Sequence, residues 1–191
     1  MASIKGTKTE QNLLKAFAGE SQARNRYTYF ASSAKKEGFV LISMIFEETA
    51  AQEQVHAKQF FKFLEGGPLE ITAVYPAGMI GSTLENLNAA AEGENEEWTM
   101  LYPAFAQTAK EEGFPEVAAA FTAISIAEKR HEERYNNLIK KLEEDTMFKR
   151  DNPVIWRCLN CGYLHEAAAA PKQCAACKHP QSYFEVFGEV N

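Results

Sequence analysis

Apolar residues recur at helical spacing from about Thr9 to Asp145, in four stretches separated by glycine and proline. The first, "TEQNLLKAFAGESQARNRYTYFASSAKKEGF", reaches Gly38, a residue suited to the left-handed position just past a helix. The second resumes near Phe39 and is expected to continue to the stop at Gly66-Gly67-Pro68. "LEITAVYPAGMIGST" follows, poor in strong helix formers and too long for a tight hairpin, so it reads as a crossover. A third helix is expected from Thr83 to Glu112, weakened locally at Gly93 and Pro103. A fourth starts at Pro115, where a missing N–H costs nothing. Four long helices with one long crossover predict a mainly α chain whose residues 1–150 form a ferritin-like four-helix bundle.

The helical pattern stops at Pro153, and residues 151–191 carry all four cysteines. A segment this short buries too little apolar surface to fold unaided, so a metal or a partner is expected to hold it.

The bundle contains a repeat. "AKKEGF" at 34–39 returns as "AKEEGF" at 109–114, and the same shift of 75 residues carries Glu53 onto Glu128 and His56 onto His131. Tyr27 falls on Tyr102, Phe30 on Phe105 and Phe46 on Phe121, all read as packing except the tyrosines. Upstream, Glu20 precedes Tyr27 by seven residues while Glu94 precedes Tyr102 by eight. One extra residue in the second repeat is expected, absorbed as a π-bulge.

Residues i and i+3 share a helix face, so Glu53 with His56, and Glu128 with His131, point together into the interior. Glu20 and Glu94 bring the set to four carboxylates and two imidazoles. Such a set cannot stay ionised in a low-dielectric core without cations. Two divalent metals would balance it, and a glutamate from each of two helices plus Glu-x-x-His from each of the others is a di-iron carboxylate pattern. Glu97, three residues past Glu94 and opposite Ala23 in the first repeat, is a seventh candidate ligand. Tyr27 and Tyr102 are placed to hydrogen-bond ligand carboxylates.

Charge narrows the partners. Acidic residues outnumber basic ones 26 to 20, for a net −6, which argues against nucleic acid. No run approaches the ~20 apolar residues of a membrane span, and no apolar stretch follows the first lysines as in a secretory signal. An intracellular location is expected, where cysteines serve as metal ligands more often than as disulfides. Cys158-x-x-Cys161 and Cys174-x-x-Cys177 then form two knuckles around one tetrahedral metal, zinc or iron, with His165 and His179 as exposed spares.

"WRCLNCGY", with Phe184 and Phe187 behind it, resembles rubredoxin, although Ala175 and Lys178 stand where many rubredoxins have proline and glycine. Together with "FAGESQARNRYTYFA" and "FEETAAQEQVHA", the whole chain resembles the rubrerythrin family. That resemblance implies a cytoplasmic peroxidase that reduces hydrogen peroxide to water at a non-haem di-iron centre. Electrons would arrive through an Fe(Cys)4 centre from electron-donor proteins, either rubredoxin or an NAD(P)H-dependent reductase. It also implies Glu20 and Glu94 as terminal ligands, Glu53 and Glu128 as bridges, and His131 on one iron. Glu97 and His56 would exchange on the other iron, with the tyrosines in support. A homodimer or higher homo-oligomer is expected, because in the family one subunit's tail commonly serves another's di-iron site. A ferritin-like iron store and a pure electron carrier are the competing functions, the first without need of the tail, the second without need of the pocket.

Overall fold

The computed structural model describes residues 3–189, and its five α-helices all lie before residue 144. Helix α1 spans Lys8–Lys36, α2 Val40–Phe61, α3 Thr83–Glu96, α4 Tyr102–Glu111 and α5 Pro115–Glu143. A π-helical turn, Glu97–Leu101, joins α3 to α4, so the expected third helix is one rod with a single wide turn. Within it the Tyr102 N–H reaches back five residues to the Glu97 carbonyl. Pro103, which has no N–H to give, falls just beyond. The extra residue shows in register: before the turn, mates are 74 apart (Glu20 and Glu94, Ala23 and Glu97), and after it 75 apart.

Local chemistry sets the helix ends. Thr7 caps α1 by accepting from the Glu10 N–H, and Ser82 with Glu85 forms a capping box at α3. Gly38 and Gly113 follow α1 and α4 at φ +87° and +85°, a conformation that penalises any Cβ. The glutamates just before these glycines close the bundle ends: Glu37 accepts from the Thr83 N–H at 3.0 Å, and its mate Glu112 accepts from the Thr9 N–H at 2.8 Å.

Helix α2 ends earlier than expected, at Phe61 rather than at the glycine pair. Phe63 and Leu64 instead form tight turns onto the carbonyls of Phe60 and Phe61 and pack against the core, while Glu65 turns back to accept from the Ile4 N–H. The crossover then runs along the bundle to α3. Two apolar cores result, one around Tyr27, Phe30, Phe46 and Tyr135, the other around Tyr102, Phe121 and Phe60. Between them lies a layer of buried carboxylates.

The tail forms a three-stranded antiparallel sheet in the order β2-β1-β3, with β1 Lys149–Cys158, β2 Leu164–Ala169 and β3 Phe184–Val186. Trp156 and Phe184 are its buried centre, and the Trp156 indole N–H donates to the Ala167 carbonyl at 2.9 Å. No helix among the described residues is long and apolar enough to cross a membrane.

Candidate metal centres

Each of the four rods of the bundle contributes a fully buried glutamate to one layer: Glu20 from α1, Glu53 from α2, Glu94 from α3 and Glu128 from α5. His131 is buried beside them, and His56 keeps a small exposed edge. Ligand atoms of Glu20, Glu53, His56 and Glu128 lie within 4.8 Å of one another, as do those of Glu53, Glu94, Glu128 and His131. Two groups of four therefore share Glu53 and Glu128, the arrangement expected of two ions joined by two carboxylates.

The contacts are short but poorly aimed. His131 Nδ1 lies 2.8 Å from Glu128 Oε2 and 3.1 Å from Glu53 Oε1, and His56 Nδ1 lies 2.9 Å from Glu128 Oε1. Yet Glu20 Oε2, Glu53 Oε1, Glu94 Oε2, both Glu128 oxygens and His131 Nδ1 are buried without a properly directed hydrogen bond. Leaving such atoms unpaired costs ~1–3 kcal/mol each. Donors that converge on common points rather than on each other fit cations, and the residues present fit a pair of divalent metals.

Proton affinities express the same crowding. Burial, followed by the Glu53 and Glu128 charges, pushes Glu20 well above the usual carboxylate range. Burial and Glu53 lift Glu94 to about 8. Burial raises Glu53 too, but the two imidazoles beside it outweigh this and hold that carboxyl at about 2. Burial disfavours a charged His131, and Glu128 and Glu53 overcome this to lift it to about 12. Without metal, protons do the neutralising, so metal uptake releases them.

Supporting groups mirror the repeat. The Tyr27 hydroxyl donates to Glu94 Oε1 at 2.6 Å, and the Tyr102 hydroxyl donates to Glu20 Oε1, so each repeat's tyrosine holds the other repeat's carboxylate. Glu97 stands outside both groups, partly exposed, on the side of a cavity lined also by Tyr27 and Tyr102. Burial, then the charge of Glu20, raises its carboxyl well above the ordinary range.

Two residues were not anticipated. His131 Nε2 lies 2.9 Å from Gln52 Oε1; donation from Nε2–H leaves the Nδ1 lone pair facing the carboxylates. The repeat mate of Gln52 is Ala127, so symmetry carries no signal for it. Tyr135, the mate of Phe60 under the same 75-residue shift, buries its hydroxyl near Thr49 and packs edge-on to Tyr27 at 5.7 Å. Extending the repeat by one more pair would have found it.

In the tail, Cys158, Cys161, Cys174 and Cys177 bring their sulfurs within 4.8 Å of one another. The Cys158–Cys177 and Cys161–Cys174 pairs lie 3.7 Å apart, too far for disulfides. Four thiolates at ~2.3 Å from one metal stand about 3.8 Å apart, so this cage fits a tetrahedral ion. The knuckles are near copies: the Gly162 N–H donates to the Cys158 carbonyl at 2.8 Å, and the Lys178 N–H to the Cys174 carbonyl at 3.0 Å. The His179 backbone holds the Cys177 thiol down at about 6. His165 and His179 are half-buried rather than exposed; His165 stacks on Tyr163, and His179 meets Tyr183 edge-on.

Residues 11–139 match the family model for rubrerythrin, and residues 156–185 the model for the rubrerythrin rubredoxin-like domain. Rubrerythrin of Porphyromonas gingivalis is 63% identical over 183 residues, covering 96% of this chain and 92% of that one. Rubrerythrin of Nitratidesulfovibrio vulgaris is 55% identical over 188 residues, covering 98% of each. Among solved structures, fully reduced, all-ferrous nigerythrin superposes with a TM-score of 0.63 at 31% identity, over 96% of this chain and 91% of that one. An open-pore ferritin from Archaeoglobus fulgidus, 20% identical with a TM-score of 0.62 over 75% of this chain and 88% of its own, shares the bundle fold. With both patterns present in the same order and relatives aligned end to end, the chain belongs to the rubrerythrin family, with a carboxylate–histidine di-iron domain followed by a four-cysteine rubredoxin-like domain.

Proposed function

We propose that this protein is a hydrogen peroxide reductase, H2O2 + 2e− + 2H+ → 2H2O, fed with electrons through the four-cysteine centre of the tail. The observation that carries the reading is the pairing, in one chain, of a buried donor set for two metals with a cysteine cage suited to a one-electron carrier. An iron store has no use for the cage, and an electron carrier has no use for the second donor set.

When bound, two ferrous ions supply the two electrons and the Lewis acidity needed to break the O–O bond. The chain's residues set the stage for it. Glu53 and Glu128 sit in both groups and would be shared by the two ions; Glu20 and Glu94 would serve as the outer carboxylates, each held by a tyrosine hydroxyl. Gln52 fixes the His131 tautomer so that Nδ1 faces inward. His56 lies within the first group while Glu97 stands outside it, the arrangement expected when imidazole rather than carboxylate serves that position. A neutral imidazole, as His56 offers, would suit a less charged metal pair, and the Glu97 carboxylate a more highly charged one. Residues Glu97, His56, Tyr27 and Tyr102 are thus the ones next to the reacting position.

The remaining assignments follow the same reading: a rubredoxin or an NAD(P)H-dependent reductase as donor, a cytoplasmic location, and a homodimer in which one tail serves the partner's bundle. The test combines metal content with spectroscopy. About three irons per chain, with the colour of the reduced iron–thiolate centre returning rapidly on adding hydrogen peroxide, supports the peroxidase. Full iron loading with no response to peroxide overturns it, and accumulation of many irons per chain would move the bundle to storage.

A further inference from the structure

Two helix-interior glycines, Gly19 and Gly93, stand one residue before Glu20 and Glu94 and are repeat mates. Glycine is unfavourable inside a helix, and neither position has the positive φ that would demand it. Packing does not demand it either. A Cβ on Gly93 would meet nothing within 4 Å, and one on Gly19 would meet the Tyr75 ring and Glu97 Oε1 at 3.7 and 3.8 Å, ordinary contact distances. Both glycines face one cavity of about 390 Å³, between α1 and the α3–α4 rod, roofed by crossover residues 72–76.

The cavity is oversized for hydrogen peroxide. A water's share of liquid volume is ~30 Å³, and the volume here falls in the ~300–1,000 Å³ range of small-molecule sites. Its walls are mostly apolar, with Ala16, Ala23, Leu101 and Phe105 inside and Val74 at the exposed rim, although Lys15, Arg26 and Glu96 also line it. Tyr75 anchors the roof by donating its hydroxyl to the Lys15 carbonyl at 2.8 Å. The inner end is polar, where Glu97, Tyr27 and Tyr102 meet the donor layer. Apolar walls ending at a polar reaction centre suit a molecule with a hydrocarbon body and one oxidising head.

We infer that this cavity admits organic hydroperoxides of aryl or short alkyl type, making the protein an alkyl hydroperoxide reductase as well. The inference rests on the peroxidase reading and extends its substrate class. The reaction is ROOH + 2e− + 2H+ → ROH + H2O. The O–O bond breaks, the hydroperoxide is reduced, the protons come from water, and the electrons arrive singly from an iron–sulfur donor protein through the tail. Gly19 and Gly93 keep the walls apart, and the crossover holds the hydrocarbon body.

The test has a binding arm and a turnover arm. In the binding arm, 2-phenyl-2-propanol, the alcohol product of cumene hydroperoxide, is titrated into the full chain loaded with diamagnetic zinc, with labelled alanine methyl groups observed by NMR. Saturable shifts are expected at Ala16 and Ala23 and none at Ala57 or Ala109, which do not line the cavity. In the turnover arm, the iron-loaded chain is given cumene hydroperoxide and, separately, hydrogen peroxide. Gly93→Leu, which grows into the open space, is expected to abolish the shifts and to lower the ratio of cumene hydroperoxide to hydrogen peroxide kcat/KM at least tenfold. Val74→Asp, at an exposed position that a charge cannot unfold, is expected to raise the KM for cumene hydroperoxide. Absence of alanine shifts, or turnover of hydrogen peroxide alone by the parent, overturns the inference and leaves the peroxidase standing. Turnover of neither peroxide by the iron-loaded protein overturns the peroxidase, and this inference with it.

Discussion

The two halves of the bundle are built from one plan and differ at few places near the centre. Both supply a glutamate, a tyrosine and a Glu-x-x-His pair, and each tyrosine crosses to the other half's carboxylate. The first half runs a regular helix past Glu20 and has Ala23 at the next turn; the second inserts one residue, opens a π turn and presents Glu97. Duplication alone explains a symmetric cradle for two equal metals. The inserted residue makes the two sides unequal, and only the unequal side carries a spare carboxylate next to the cavity. Symmetry accounts for metal binding, and its violation for whatever the metals do beyond being held.

Removing a shared element should be equally severe in either half. Glu53→Ala and Glu128→Ala each take a carboxylate from both groups of four, so bundle metal should fall from two ions to less than one, with turnover below about 1% of the parent. The metal in the cysteine cage should stay. Metal analysis of purified protein decides this, and a variant that keeps both bundle metals would refute the bridging assignment. Glu97→Ala should break the symmetry argument open from the other side. Both bundle metals should remain, because Glu97 lies outside both groups, while peroxide-driven reoxidation slows by roughly 10- to 100-fold. Loss of metal in that variant would make Glu97 an ordinary ligand and erase the distinction.

The tyrosines probe the halves more gently. Tyr27→Phe and Tyr102→Phe each remove one charge-assisted hydrogen bond, and about tenfold weaker bundle-metal affinity is expected by chelator competition. Tyr102→Phe should be the larger loss. Its ring packs on Phe60, whereas Tyr27 packs on Tyr135, whose buried hydroxyl makes no hydrogen bond among the described residues and can approach the vacated carboxylate. Equal losses would show that Tyr135 contributes packing alone.

What was legible in the chain follows from what repeats. The helices, the Glu-x-x-His pairs and the extra residue before Tyr102 all come from register, which needs no three-dimensional knowledge. Gln52 does not, because its mate is alanine and its role depends on the ring orientation of a histidine 79 residues away. The end of α2 differs from expectation because Phe63 and Leu64 look helical by composition; the second core captures them in turns instead. The tail's sheet left little trace: β3 has three residues, and in β1 the inward side chains Val154, Trp156 and Cys158 alternate with exposed ones only after the polar run Lys149 to Asn152 and Pro153.

The tail offers the smallest and cleanest version of the comparison, because its two knuckles are also near copies. Gly162 and Lys178 occupy equivalent places after Cys161 and Cys177, donate equivalent N–H bonds, and share a left-handed backbone, with φ +76° and +64°. Only one of them is glycine. Among the described residues, Lys178 and Asp145 are the non-glycine residues with positive φ. For a lysine the left-handed conformation costs ~1–2 kcal/mol through its Cβ. Replacing it by glycine removes that cost but adds freedom to the unfolded chain, which takes back part of the gain. The Lys178 Nζ contact with the Ala175 carbonyl, 3.1 Å and exposed, adds little to the balance. Lys178→Gly should therefore stabilise the metal-loaded tail by about 0.5–1 kcal/mol, read as slower loss of the tail's metal to a chelator and a higher denaturation midpoint. Gly162→Ala should shift both in the opposite direction by a similar amount. If Lys178→Gly instead weakens the site, the lysine holds the second knuckle by a contact that outweighs its backbone strain, and the two knuckles are not equivalent after all.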